Sequence, residues 1–518
     1  MDFDDGKDDI PTFYAGKDVF ITGASGFMGK VLIEKLLRSC PEIGNLYLLL
    51  RPKKGKSLEE RIKQLTDVGL FDSLKESNIG ALSKIKPIDG DVSKLNLGIS
   101  EADTNTLIEN VSVIFHAAAS VRFDDPLQDA ILLNTRGTRE IVLLAKKMKK
   151  LRSFIHVSTT YCNTDRKVIG EEIYPPHADW QQSIELAENY DRHVLDVLTA
   201  KYTGTLPNTY TFTKSMAEHV IKDLCDGQLP VSIIRPSIVI SSVKEPFPGW
   251  IDNFNGPVGL LVAAGKGVMR SIYTNPNVRA DYVPVDLAIK AIILTAWAKG
   301  VQSEEERLKL NIFNCSNNRV QAVTSRELVQ IGRRLCWEYP LENMLWYPNG
   351  NWITTNYYVH FIKMIFYHLI PALFVDGLLK LTNHKPMLVK VHRRIFIANM
   401  ALEFFIMQEW TFINENILEL ETKIPEQNRE EFAYDKYSPL TIPYVFFKNG
   451  IIGAKKYLLK ENSNLESDRR AATRLWIVSI IFNALWYYTV FWFLYYKMDI
   501  LGIILNRLYD AKVYFTTP

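Results

Sequence analysis

Residues 18–37 read Asp18-Val-Phe-Ile-Thr-Gly23-Ala-Ser-Gly26-Phe-Met-Gly29-Lys-Val-Leu-Ile-Glu-Lys-Leu-Leu37, and this stretch decides the fold. Asp18 to Thr22 is a β-branched and aromatic run of strand length. After Gly29 the apolar residues recur at helical spacing. Three glycines stand between the two. Gly23 permits a tight turn, Gly26 lets backbone amides approach a phosphate, and Gly29 lets the helix pack against the strand. The helix N-terminus then presents its partial positive charge to a pyrophosphate. In this strand–turn–helix context the G-x-x-G-x-x-G spacing predicts a dinucleotide cradle built from Thr22, Gly23, Ser25, Gly26, Phe27, Met28 and Gly29.

The pattern continues outward from this unit. Residues 45–50, 111–116, 154–158 and 231–235 are further strand-like runs, separated by amphipathic segments. Continuous apolar, β-branched runs signal strands buried on both faces, hence a parallel sheet with crossover helices. The predicted fold class is α/β: a Rossmann-type doubly wound parallel sheet with a helical C-terminal domain and a C-terminal transmembrane helix. The expected divisions are 15–290 for the catalytic domain with its substrate lobe and 291–355 for the rest of that lobe. Residues 356–465 are expected to form the helical domain, 475–496 the membrane helix and 497–518 a short tail.

Cofactor choice is read at the end of the second strand. An NAD enzyme usually carries an acidic residue there for the ribose hydroxyls. Here the sequence is Leu50-Arg51, followed by Pro52, Lys53 and Lys54. A guanidinium suits the 2′-phosphate of NADPH, and a solvated basic loop is the alternative. Asp91, with Val92, is placed at the adenine. Ala117 and Ala118, at a strand end, leave room beside the backbone, and Pro236, Ser237 and Ile238 are expected near the nicotinamide amide.

Downstream, Tyr210 and Lys214 are four residues apart and share one helical face. A phenol is a poor acid at neutral pH, and a neighbouring ammonium is expected to lower its pKa. Lys214 is also placed on the nicotinamide ribose. Ser158 and Thr159, at a strand end, offer a hydroxyl to the substrate carbonyl, and alternation along the strand favours Thr159. The combination predicts carbonyl reduction.

Composition excludes several classes. The 518 residues carry a net charge of only +3, which argues against nucleic acid as a partner. The five dispersed cysteines form no CxxC pair, so neither a disulfide framework nor a metal site is expected. The acidic N-terminus resembles no signal or transit peptide. Residues 475–496 contain no charged residue and carry aromatic residues suited to the headgroup region, predicting one bilayer span. Basic residues Lys455, Lys456, Lys460, Arg469, Arg470 and Arg474 precede it, so the catalytic domain is expected on the cytosolic side. A second apolar stretch, 364–375, is bounded by Lys363 and Asp376. It reads as an interfacial helix or a core helix, too short to span.

TGASGFMGKVLIEKLLR, LYLLLRPKKG, HAAASVRFD, HVSTTYCN, LPNTYTFTKSMAE, RPSIVISSVKEPFPGWIDNFNGPVGLL and ADYVPVDLA together resemble the fatty acyl-CoA reductases, an extended branch of the short-chain dehydrogenase/reductases. EPFPGW-x-DN is the most specific part, and EFFIMQEWTFINENILEL with GIIGAKKYLLKE resembles that family's C-terminal domain. The resemblance implies NADPH-dependent reduction of a long-chain acyl-CoA to a primary alcohol through an aldehyde, with release of CoA, at an endoplasmic reticulum or peroxisomal membrane. Lys266 and Arg270 are candidates for the CoA phosphates or for a solvated basic face. Self-association is left open. The competing readings are a membrane-bound hydroxysteroid dehydrogenase and an inactive Rossmann scaffold.

Overall fold

The computed structural model describes residues 9–51, 55–317, 322–348, 353–434, 441–462, 464–496, 502–503 and 506–507. Pro52, Lys53 and Lys54, and nearly all of the expected tail 497–518, lie outside the described residues. Seven strands form the central sheet: β1 (Asp18–Thr22), β2 (Leu46–Leu50), β3 (Ile85–Asp89), β4 (Val111–His116), β5 (Ser153–Val157), β6 (Val231–Pro236) and β7 (Asn311–Cys315). Their order is β7-β6-β5-β4-β1-β2-β3 and every pairing is parallel. The order reverses between β1 and β4, which opens a crevice at their carboxyl ends, the usual ligand position in such sheets. Strand β2 starts one residue later than the sequence suggests, because the Asn45 N–H donates to the Asp18 carboxylate at 2.7 Å. The seventh strand lies beyond residue 290, so the sheet draws on sequence past the expected division.

Both faces of the sheet are covered, as the continuous apolar runs require. On one side α1 (Phe27–Ser39) and α3 (Val285–Val301) pack against Val19, Ile21, Phe115 and Ile155. On the other, α2 (Thr209–Cys225) packs its Ile221 and Cys225 with Phe20, Ile114, Phe154 and Ile233.

The C-terminal region comprises α4 (Tyr357–Leu381), α5 (Leu388–Ile406), α6 (Pro443–Gly453) and α7 (Leu465–Tyr496). Among its many contacts with the sheet domain, two involve the EPFPGW loop and its flank. The first is backbone to backbone. Gly249, in the EPFPGW loop, has φ +84°, and a Cβ there would lie 2.1 Å from the Asn449 carbonyl oxygen of α6. The second is ionic. Lys35 of α1 lies 2.5 Å from both Glu245 and Glu431, while Arg38 reaches the same two carboxylates at 2.9 and 2.8 Å. Lys290 of α3 adds a contact to Glu245 at 2.7 Å.

Helix α4 corrects the reading of 364–375 as a short segment. It is 25 residues long, continuous through Lys363 and Asp376, and long and apolar enough to cross a membrane. Asp376 does not end it, because its carboxylate turns inward and accepts from the backbone N–H groups of Met387, Leu388 and Val389 at 2.9 to 3.0 Å. A charge that looks like a boundary is thus the N-terminal cap of α5. A core helix is also excluded, since Phe366, Leu373, Phe374 and Leu378 are exposed. The second helix of this kind is α7, where one span was expected.

Candidate active site

The glycine turn has the geometry its sequence predicts. Gly23 has φ +77°, and a Cβ on it would lie 2.7 Å from the carbonyl carbon of Ala117. On Gly29 a Cβ would come within 2.3 Å of the Gly23 oxygen, so only glycine brings α1 this close to the turn. Gly26 is the N-cap of α1, and no side chain caps its amides. Ser25 and Gly26 are exposed, while Phe27 and Met28 are half-buried. Uncapped amides at an open helix N-terminus are suited to a pyrophosphate, and the residues present fit a dinucleotide.

The remaining cofactor candidates surround this cradle. Thr22, at the end of β1, is hydrogen-bonded to His116 Nδ1 at 2.7 Å and accepts from the Ala118 N–H at 3.2 Å, which fixes the Ala117-Ala118 backbone beside the turn. Arg51 is exposed at the end of β2, and its carbonyl accepts from the Arg61 guanidinium. The Asp91 Oδ1 accepts from the Ser93 N–H and hydroxyl, and Val92 is buried against Gly137. Pro236 ends β6. Ser237 spends its hydroxyl on Asp281 at 2.6 Å and its N–H on the Cys315 carbonyl, and the Ile238 N–H goes to the Asp281 carbonyl. Their donors are therefore turned into the protein.

Asn208 sets the catalytic helix. Its side-chain oxygen accepts from the Thr211 N–H at 2.9 Å, starting α2 so that Tyr210 falls in the first turn. The Thr159 hydroxyl, just beyond β5, faces the Tyr210 phenol and acts to lower its pKa. Thr159 also accepts from the Tyr161 N–H at 3.2 Å, which leaves its proton for the phenol oxygen. Ser158 lies on the other side of the chain, buried with no hydrogen-bond partner for its hydroxyl, near the Glu218 carboxyl that Arg235 holds down against burial. Alternation along the strand thus separates the two hydroxyls.

Electrostatics differ from the expectation in one respect. Burial pushes the Tyr210 phenol up to about 12, opposed by the Thr159 hydroxyl, and the lowering expected from Lys214 does not emerge. Burial also brings the Lys214 ammonium down to about 8. Its Nζ donates to the Val157 carbonyl at 2.6 Å, which holds it beneath the end of β5. A raised pKa keeps the phenol protonated at neutral pH, the state a proton donor needs.

Several residues went unnoticed in the sequence. Glu218, one turn beyond Lys214, forms a fully buried bidentate pair with Arg235 at 2.6 and 2.8 Å, so α2 is anchored to β6 directly below the site. The Tyr-x₃-Lys-x₃-Glu spacing was the available signal. Phe123 stacks on Tyr210 with ring centroids 6.0 Å apart, and Phe405 of α5 lies 5.2 Å from Phe123. Tyr161, Phe404 and Trp410 extend this aromatic wall. The C-terminal region therefore contributes to the surroundings of Tyr210. Lys266 and Arg270 are neither a solvated face nor an open phosphate site. Lys266 pairs with Glu461 at 2.6 Å, and the Arg270 guanidinium lies over the Trp346 ring at 4.8 Å.

Comparison with known proteins follows the same division of the chain. Residues 21–292 match the NAD-binding family described as male sterility protein, and residues 367–461 match a second family of that description. The chain is 39% identical over 477 residues to fatty acyl-CoA reductase 1 of Xenopus laevis, covering 92% of this chain and 91% of the relative. With fatty acyl-CoA reductase 1 of Homo sapiens it shares 38% over the same coverage. Fatty acyl-CoA reductase 2 of Bos taurus is 35% identical over 475 residues, covering 92% and 91%. Among solved structures, the terminal R domain of the myxalamid PKS-NRPS biosynthetic pathway superposes with TM-score 0.56 at 19% identity, covering 87% of this chain and 93% of that one. The reductase domain of a nonribosomal peptide synthetase from Mycobacterium tuberculosis has TM-score 0.56 at 18% identity, covering 85% and 91%. These two share the fold. A nicotinamide-dinucleotide cradle, a reductase architecture and close relatives along nearly the whole length converge on one conclusion: the chain is an oxidoreductase belonging to the fatty acyl-CoA reductase family.

Proposed function

We propose that this enzyme reduces a long-chain acyl-CoA to the primary alcohol with NADPH, through an aldehyde and with release of CoA. The observation that carries this reading is the placing of Tyr210, Lys214 and Thr159 together at the end of β5, with Tyr210 walled by Phe123 and by Phe405 of the C-terminal region. NADPH supplies hydride, and two equivalents are needed to take a thioester to an alcohol.

In the first half, Thr159 and Tyr210 hold the thioester oxygen while the carbonyl carbon is reduced. Tyr210 gives its proton to that oxygen, completing a hemithioacetal. Tyr210 then takes the hydroxyl proton back as the C–S bond breaks, leaving an aldehyde, a phenol protonated for the second half, and a CoA thiolate that takes its proton from solvent. In the second half the same pair holds the aldehyde oxygen, and Tyr210 protonates the alkoxide that forms on reduction. Lys214, held below by the Val157 carbonyl, places positive charge under the phenol and beside the nicotinamide ribose. Arg51, exposed at the end of β2, pairs with the 2′-phosphate, and Asp91 faces the adenine.

Helix α7 anchors the enzyme in the bilayer, with basic residues at 469, 470 and 474 on the catalytic side. This orientation keeps the catalytic region cytosolic, at an endoplasmic reticulum or peroxisomal membrane. The test is incubation of the detergent-solubilised full chain with palmitoyl-CoA and NADPH, followed by mass spectrometry for hexadecanol. Absence of alcohol and aldehyde across several chain lengths, with turnover of a steroid instead, would overturn the assignment.

A further inference from the structure

Helix α4 is inverted relative to a surface helix of a water-soluble protein. Its buried residues are His360, Met364, His368, Ala372 and Asp376, one every fourth position. Three of the five are polar, and each is bound to the catalytic region or to α5. His360 Nδ1 meets the Ser271 hydroxyl at 3.0 Å, His368 Nε2 accepts from the Arg270 N–H at 3.2 Å, and Asp376 caps α5. His368 also contacts His392 of α5, Nδ1 to Nδ1 at 3.2 Å. The outward side carries Tyr358, Phe361, Ile362, Phe366, Phe374 and Leu381, all exposed. The helix is therefore fastened to the protein along its length, from 360 to 376, a distance of about 24 Å at the helical rise. A membrane-crossing helix is attached to its water-soluble domain at one end, not along its side.

Helix α7 gives an independent measure of depth. Its uncharged run from Leu475 to Tyr496 is about 33 Å long, close to the roughly 30 Å of a hydrocarbon core. Trp346 touches this run at Phe482, with ring centroids 5.3 Å apart. That contact is seven residues in, or about 10 Å along the helix. If α7 spans, Trp346 must sit at about that depth. Trp346 carries Arg270 on its ring, and the Arg270 N–H is the one bonded to His368 of α4. The two apolar helices are thus joined through two residues. Lys380 in the last turn of α4, Lys385 in the connection, and Lys390, Arg393 and Arg394 at the start of α5 are exposed, a charge pattern complementary to anionic headgroups.

We propose that α4 lies lengthwise in one leaflet of the bilayer, the leaflet on the catalytic side, with its outward aromatic and aliphatic face among the acyl chains. The occupant of this face is lipid. The depth argument rests on α7 spanning the bilayer, and the probes below separate the two ideas.

The full-length protein, with Cys336 replaced by Ser, would be reconstituted in vesicles of phosphatidylcholine and phosphatidylserine. Single cysteines at Phe374→Cys and, as the α7 control, Trp486→Cys would carry an environment-sensitive fluorophore. Tyr358→Cys and Leu381→Cys would report sidedness with a membrane-impermeant maleimide. The expected result is stronger quenching of the 374 probe by lipids labelled near the headgroup than by those labelled deep in the chain. Both 358 and 381 should react from the catalytic side. Reaction of 358 and 381 from opposite sides would show a second span and overturn the proposal. So would an unquenched probe at 374 beside a quenched one at 486. If neither probe is quenched, the membrane reading of α7 falls together with this one.

Discussion

The Thr159 hydroxyl faces the Tyr210 phenol and opposes the rise of its pKa, so the end of β5 meets the first turn of α2. The pair predicts distinct phenotypes for its two members and for the neighbouring Ser158. Tyr210→Phe removes the proton donor, so kcat should fall by roughly 10²–10⁴-fold, with cofactor affinity retained in a fluorescence titration. Thr159→Val should lower kcat by up to about tenfold through one lost hydrogen bond to the substrate oxygen of about 0.5–1.5 kcal/mol, and Thr159→Ser should restore it. Ser158→Ala should leave kcat within a fewfold.

On the proposed reading, Arg51 sets the preference for NADPH over NADH. A charge-assisted hydrogen bond contributes about 1.5–3 kcal/mol, so Arg51→Ala should raise KM for NADPH by about 10- to 150-fold. KM for NADH should hardly change. Steady-state kinetics with both cofactors checks this, and equal effects on both would remove the 2′-phosphate contact.

The Lys214 ammonium, brought down to about 8 by burial, titrates near the physiological range. Below that pH it is charged and supports cofactor binding, and above it the charge is lost. The profile of kcat/KM for NADPH, which reports the free enzyme, should fall on the alkaline side with a midpoint near that value. In Lys214→Arg that limb should disappear, because a guanidinium stays protonated throughout.

Acid stability should depend on Glu245. Burial alone would raise its pKa, but Lys35 and Lys290 override this and hold the carboxyl at about 2. A carboxyl with a depressed folded-state pKa contributes stability above its unfolded value, near 4.3, and loses it as pH falls toward the folded value. Thermal unfolding midpoints should therefore drop between about pH 5 and pH 2. Glu245→Gln should be less stable than the parent at pH 7, and the gap between them should narrow on acidification.

Gly249→Ala tests the contact between the EPFPGW loop and α6. The added methyl would meet the Asn449 carbonyl at 2.1 Å from a backbone at positive φ. A loss of about 2 kcal/mol or more is expected, seen as a lowered unfolding midpoint in calorimetry.

Much of the sheet was legible because its signals are local. Buried parallel strands announce themselves as continuous apolar runs, and the glycines between β1 and α1 are needed within a few residues of each other. Tyr210, Lys214 and Thr159 were legible for a similar reason, since helical spacing and strand alternation place each side chain. What stayed hidden depends on partners far away in sequence. Nothing near Asp376 shows that it caps a helix beginning twelve residues later, so it read as the end of an apolar stretch. Lys266 read as free charge because Glu461 lies 195 residues on. The EPFPGW loop was recognised as specific, but its backbone packing on α6 has no local signature. Phe123 and Phe405 flank Tyr210 only because α5 returns to the sheet domain.

The carboxylates of Glu245 and Glu431 share the cations Lys35 and Arg38, so three remote parts of the chain meet at one charged hub. A gene fragment ending before residue 356 would retain the two cations and Glu245 but lose Glu431, along with the helix face that covers the EPFPGW loop. Such a fragment would contain every proposed catalytic residue and still be an unfinished protein. The two sequence families matched in this chain are units of inheritance, whereas the charged hub and the EPFPGW contact join them in one structure.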